Sequence, residues 1–178
     1  MIEYTRVAAF DVSLTATGWA EFDVTLSRLS YGICPPCKVN GLERMSHVLQ
    51  FVKAKVDREA LVLIEDFSFG SKGQALSEIH GLGYLIRYWL WQQGIRYLAV
   101  APSALKKWCC GKGNAQKDIM IREVYSRWDL KIDDNNICDA VALNYLGQAL
   151  IGQWEPTTDF QRAVVRDVNK KYQNVLGV

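Results

Sequence analysis

Two short apolar runs in this chain each stop on a carboxylate, and that pairing narrows what it can fold into. The run RVAAFDV, residues 6–12, carries Asp11 near its end, and LVLIE, residues 61–65, ends on Glu65. Runs this short and apolar read as central strands covered on both faces. A charge at such a place is costly unless something pairs with it. A third acid, Asp139, lies among the apolar neighbours Ile137, Ala140, Val141 and Leu143, which read as a buried helix.

The segments between them complete a pattern. Residues 17–23 and 27–33 read as two more strands, forming a meander with the first. The prolines of PPCKVNG then force a loop. Leu42, Met45, Val48, Leu49, Val52 and Val56 recur at helical spacing and predict a helix over 42–56. After the strand at 61–65, SFGSKGQ reads as a loop. A long amphipathic helix is expected from about 75 to 93, with Gly94 as its stop. Strand 95–101, a short helix 102–108 opened by Pro102, and helices at 115–128 and 135–151 follow. Residues 153–158 read as a linker and the rest as a polar helical tail. The predicted architecture is α/β, an RNase H-like fold. Its mixed five-stranded sheet joins a three-stranded antiparallel meander to parallel strands, with helices on both faces. The expected division is a domain over 1–152 and a C-terminal tail over 153–178.

Composition excludes little. The 178 residues suit one compact domain, and 49% hydrophobic with 22% charged residues is ordinary for a globular chain. No apolar run reaches membrane-span length, and Asp11 interrupts the N-terminal apolar stretch, which is unlike a signal peptide. The expected location is the cytoplasm, where Cys34, Cys37, Cys109, Cys110 and Cys138 default to free thiols. Cys34 and Cys37 have a zinc-knuckle spacing but no second ligand pair at finger spacing, so a loop with two thiols is the better reading. The net charge of +2 decides nothing about partners. Lys106, Lys107, Lys112 and Lys117 cluster, and Arg162, Arg166, Lys170 and Lys171 punctuate the tail. Both patterns suit a nucleic-acid surface or a solvated face.

Each acid taken alone is explained by a nearby Lys or Arg. Three acids on elements that this fold brings together point instead to divalent metal. Hard cations such as Mg²⁺ or Mn²⁺ take carboxylate oxygens, and two of them can serve both sides of a phosphodiester.

Four motifs in series resemble the RuvC-type Holliday junction resolvases, most of all their phage and prophage branch. FDVSLTATGWA is similar to the first motif of that family, and LVLIEDFSFGSKGQA to the second. APSALKKWCCGKGNAQKDIM resembles the third and DDNNICDAVALNYLG the last, so the likeness spans residues 6–150. It implies that Asp11, Glu65 and Asp139 are catalytic metal ligands holding two Mg²⁺ or Mn²⁺ ions per site, with Asp134 and Asn136 as further candidates. Asn136 stands where family members often carry Asp. Lys117 is implied as a catalytic lysine that holds the scissile phosphate, and Ser13 and Thr15 as residues shaping the turn after Asp11.

The resemblance also implies DNA contacts by Phe69, Lys72, Lys106, Lys107, Lys112 and Lys117, with Phe69 as a stacking wedge and Phe67 as its rival. The helix 75–93 has aromatic residues on more than one face, which suits a homodimer interface. The implied activity is metal-dependent resolution of four-way DNA junctions by paired symmetric nicks leaving 5′-phosphates. Broader cleavage of flaps, forks and three-way junctions is the alternative. An inactive DNA-binding module is another, favoured only by Asn136.

Overall fold

The computed structural model describes residues 4–67 and 74–176, with the side chains of 74–76 left aside. Strands β1 (Arg6–Asp11), β2 (Gly18–Asp23) and β3 (Arg28–Ile33) form the expected antiparallel meander. Strands β4 (Ala60–Glu65) and β5 (Tyr97–Val100) add in parallel on the other side of β1, giving the order β3-β2-β1-β4-β5. Helices α1 (Gly41–Lys55) and α2 (Gln74–Gln92) connect the parallel strands. After β5 come α3 (Pro102–Cys110), α4 (Lys117–Trp128), α5 (Asn135–Leu150) and α6 (Asp159–Leu176). This mixed sheet flanked by helices is the RNase H-like arrangement that the element order predicts.

Strand alternation builds two cores. Val7, Ala9, Leu61 and Leu63 project to one face, where they pack with α5 residues such as Ala140, Val141 and Leu143. Ala8, Phe10, Val62 and Ile64 project to the other face, against Val48 and Val52 of α1 and Leu82, Ile86 and Leu90 of α2. Central strands must therefore be apolar at every position, which is why β1 and β4 show no polar alternation.

Helix α5 lies flat on the first face because small residues let it. A side chain at Gly147 would run into Val7 and Leu63. Buried Asn144 donates to the carbonyls of Val7 at 2.8 Å and Ala20 at 3.1 Å, which ties α5 across β1 and β2. Its own carbonyl oxygen accepts from Gln148 at 2.8 Å, so the buried amide is satisfied.

Strand β5 is shorter than the apolar run 95–101 suggests. The Ile95 N–H bonds back to Leu90 at the end of α2, which keeps that residue in the turn. At the other end Pro102 opens α3. Helix α4 starts at Lys117 rather than at 115, after a turn over 111–114. Helix α6 buries Val164, Val168 and Leu176 in the same core as α5. It kinks at Tyr172, whose hydroxyl donates to Ala99 of β5 at 2.6 Å. Among the described residues no helix is long and apolar enough to cross a membrane.

Candidate metal centre

Parity places the first two acids. β1 and β4 run parallel with Phe10 opposite Ile64, so Asp11 and Glu65 occupy the next rung. Both share the parity of Val7, Ala9, Leu61 and Leu63, so both side chains turn toward α5. Asp139, in the second turn of α5, meets them there. One carboxylate oxygen from each of the three residues lies within 4.8 Å of the others, and all three residues are partly buried.

That approach depends on Gly18, which stands opposite Asp11 across the β1–β2 pair. A Cβ at Gly18 would collide with the Asn136 carbonyl in the first turn of α5. The absent side chain lets the helix come close enough for Asp139 to reach the strand ends. Gly18→Val is expected to push the first turns of α5 outward and to cost about 1–3 kcal/mol in stability, read by urea unfolding. Displacing Asp139 by an ångström would also lower any activity of the site about 10²-fold, read in a cleavage assay.

The turn after Asp11 is a compact hydrogen-bonded knot. The Thr17 hydroxyl donates to the Ser13 carbonyl, and Thr17 Oγ1 accepts from the Ser13 N–H at 3.0 Å. Ser13 Oγ accepts from the N–H of Thr15 at 3.3 Å and of Ala16 at 3.4 Å. Sequence reading singled out Ser13 and Thr15. Buried Thr17 is as central, and its strand-like context hid it.

Asp134 is the N-cap of α5, with Oδ1 accepting from the N–H groups of Asn136 at 2.8 Å and Ile137 at 3.1 Å. It is near enough to Asp11 to push that carboxyl's pKa upward. Asn136 brings its backbone against Gly18. Asp134 does not belong to the three-acid group.

Burial and mutual repulsion hold the three acids toward their protonated forms. Burial raises the Asp11 carboxyl, against a hydrogen bond from Glu65 and the attraction of Lys117. Burial first, then the charges of Asp11 and Asp139, push Glu65 up to about 9. Asp139 rises to about 7, again by burial and then by Asp11, with Lys117 and Lys106 pulling the other way. Three carboxyls that resist losing their protons, with Asp11 and Glu65 hydrogen-bonded to each other, describe a site suited to a multivalent cation.

The lysines separate. Lys117, exposed at the start of α4, and Lys106 on α3 both act electrostatically on the acids. Lys107 instead lines a cavity of about 170 Å³ between α3, β5 and α6. Lys112 is exposed in the turn between α3 and α4. Phe69 and Lys72 lie outside the described residues. Phe67 is anchored, with its ring 4.4 Å from His80, 5.0 Å from Tyr84 and 4.3 Å beneath the Arg87 guanidinium. The five cysteines are free thiols.

Helix α2 has a second face. Leu82, Ile86 and Leu90 enter the core, while Tyr84, Tyr88 and Trp91 are 63%, 56% and 70% exposed. These three recur at helical spacing, and Leu85 extends the patch.

No family model matches the sequence, and no curated protein matches it. Solved structures do. A Thermus thermophilus RuvC structure aligns at TM-score 0.58 and 20% identity, over 83% of this chain and 97% of that one. T. thermophilus RuvC in complex with a Holliday junction substrate aligns at TM-score 0.61 and 18% identity, over 84% of this chain and 98% of that one. At this identity the likeness establishes the fold: nearly the whole RuvC chain has its counterpart here.

Proposed function

We propose that this chain is a divalent-metal-dependent endonuclease for branched DNA, acting on four-way junctions by paired symmetric nicks that leave 5′-phosphates. The observation that carries this reading is the convergence of Asp11, Glu65 and Asp139 within 4.8 Å, in a chain with the RuvC fold. The fold alone is compatible with many activities. The site supplies the chemistry, and the neighbour solved with a Holliday junction substrate supplies the substrate class.

The donors fit Mg²⁺ or Mn²⁺. All three are hard oxygen ligands, and no lysine or arginine pairs directly with any of them among the described ion pairs. Two cations per site are proposed, with Asp134 and Asn136 at the margin as further ligands. Bound metal would supply an activated water and charge neutralisation at the phosphorus. The chain's own part is to hold the three oxygens converged. Lys117 and Lys106 add positive charge beside the acids, where they would hold the scissile phosphate and offset its developing charge. Lys107, Lys112, Lys72 and Phe69 are the further proposed DNA contacts.

The exposed aromatic face of α2 is the proposed homodimer contact, since a two-fold pair of sites would cut opposed strands symmetrically. We take residues 1–152 as the nuclease unit and 153–178 as a helical extension packed on it. The Ser-Leu-Thr-x-Thr-Gly form of the first motif supports a phage or prophage origin, with the cytoplasm of the bacterial host as the place of action.

The test is a cleavage assay on a synthetic four-way junction, beside a flap and a three-way junction of the same sequence. Mg²⁺-dependent, symmetric, ligatable nicks in the four-way substrate are expected. Equal cleavage of all three substrates would move the reading to a general branched-DNA nuclease. A folded wild-type protein that binds the junction without cutting it would leave only a binding module.

A further inference from the structure

Glu65 and its chain neighbour Asp66 are adjacent carboxylates with opposite fates. Strand parity sends Glu65 toward α5 and Asp66 toward α2. Asp66 Oδ1 accepts from Arg87 Nη2 at 2.9 Å and from the Phe67 N–H at 2.9 Å. The Asp66 N–H donates to the Val100 carbonyl at 2.7 Å, extending the β4–β5 ladder past Glu65. The Arg87 guanidinium also covers the Phe67 ring at 4.3 Å, and a Cβ at Gly83 would collide with that ring. Helix α2 therefore grips the two residues after Glu65 through an ion pair, a stacked ring and a glycine notch.

We propose that Arg87 and Asp66 are a positioning pair that keeps Glu65 turned into the metal site and ties it to the exposed face of α2. The pair touches neither metal nor DNA. It acts through the backbone: while Asp66 is held on the α2 face, alternation leaves Glu65 no direction except toward Asp11 and Asp139. The Arg87 side chain is 12% exposed and that of Asp66 27%, so the pair is sheltered from solvent screening more than a surface bridge. Its outward link is Tyr84, whose ring lies 5.0 Å from Phe67 and 5.8 Å from Arg87 while the residue stays 63% exposed. A second copy seated on α2 would press on the residue that backs the clamp. The coupling would then make metal binding at one site depend on what covers the helix. This inference rests on the metal-centre reading proposed above.

The experiment is Mn²⁺ binding to the full chain, followed by calorimetry and by electron paramagnetic resonance, for wild type, Arg87→Gln, Asp66→Asn and Arg87→Lys. Simple electrostatics predicts opposite signs. Removing the Arg87 charge should strengthen Mn²⁺ binding, and removing the Asp66 charge should weaken it. A positioning role predicts that both weaken it, by about 10–100-fold, the range seen when outer partners of metal ligands are lost. Arg87→Lys should recover part of the affinity. Phe67→Leu keeps both charges and removes only the stacking platform. It should weaken binding in the same direction, and it keeps the test alive if a charge variant does not fold. Tyr84→Ala should give a smaller loss. Opposite signs for Arg87→Gln and Asp66→Asn, or wild-type affinity in folded variants, would overturn the positioning pair and leave the metal centre standing. A wild-type chain that binds no Mn²⁺ would remove the metal centre, and the pair's role with it.

Discussion

Asp139→Asn is expected to abolish Mg²⁺-dependent junction cleavage while making the metal-free protein more stable. The two effects share one cause. Asp139 is held at a pKa of about 7 by burial and by the neighbouring Asp11, so near neutral pH its charge is a burden on the folded state without metal. Asparagine has nearly the same shape and removes that charge. It also removes an anionic ligand, and the loss of metal-borne transition-state stabilisation, several kcal/mol, corresponds to a rate drop of at least about 10²–10³-fold. Glu65→Gln should match it in both respects. With a pKa pushed up to about 9, Glu65 carries its proton in the folded state at neutral pH and loses it on unfolding. Replacing it by neutral glutamine removes that cost of folding and should also stabilise the metal-free protein. Single-turnover cleavage and thermal unfolding in chelator measure both. An Asp139→Asn protein that still cuts the junction at the wild-type rate would remove Asp139 from the catalytic centre.

Metal-free protein is expected to lose stability as pH rises from about 4.5 to about 9. Asp11, Glu65 and Asp139 all have raised pKa values in the folded state, so the folded chain binds protons more tightly than the unfolded chain over that window. Their contribution is fully present below the unfolded carboxyl pKa and fades as pH climbs through the folded values. The total is on the order of a few kcal/mol. Mg²⁺ should reverse the trend, because a bound cation favours the ionised carboxylates that proton loss creates. At about 100 times its dissociation constant a ligand adds about 2.7 kcal/mol, or roughly 5–10 °C in Tm for a chain of this size. Thermal unfolding across pH, with and without Mg²⁺, reads the result. Equal Mg²⁺ stabilisation of wild type and of an Asp11→Asn, Asp139→Asn double variant would place the cation elsewhere.

Much of this site is legible before any coordinates. A central strand has no polar face, so the acids ending RVAAFDV and LVLIE stand out, and their common parity follows from a period of two. The same logic exposes α5, where an acid interrupts apolar neighbours. The double-faced character of α2 also shows, because Tyr84, Tyr88 and Trp91 recur on a different stripe from Leu82, Ile86 and Leu90. Boundaries are less legible. Ile95 is as apolar as a strand residue, yet a hydrogen bond to Leu90 holds it in the turn.

Other features depend on neighbours distant in the chain. Gly18 reads as one more strand residue until α5 arrives beside it. Thr17 reads as a strand residue until its hydroxyl is seen closing the turn on Ser13. Lys106 and Lys107 are adjacent in a basic run, and helical geometry sends one toward the acids and the other toward the groove beside α6. The Asp66–Arg87 pair spans two elements and has no pattern at short range.

By itself, then, the sequence determined which acids would end the central strands and which face each strand would show, because burial and alternation are local rules. Only the tertiary structure decided that Asp139 would reach them, that Asp66 would be drawn off to Arg87, and that Lys106 would stand with Lys117. Those outcomes depend on how closely helices pack on the sheet, and packing distance is set by side chains far apart in the chain.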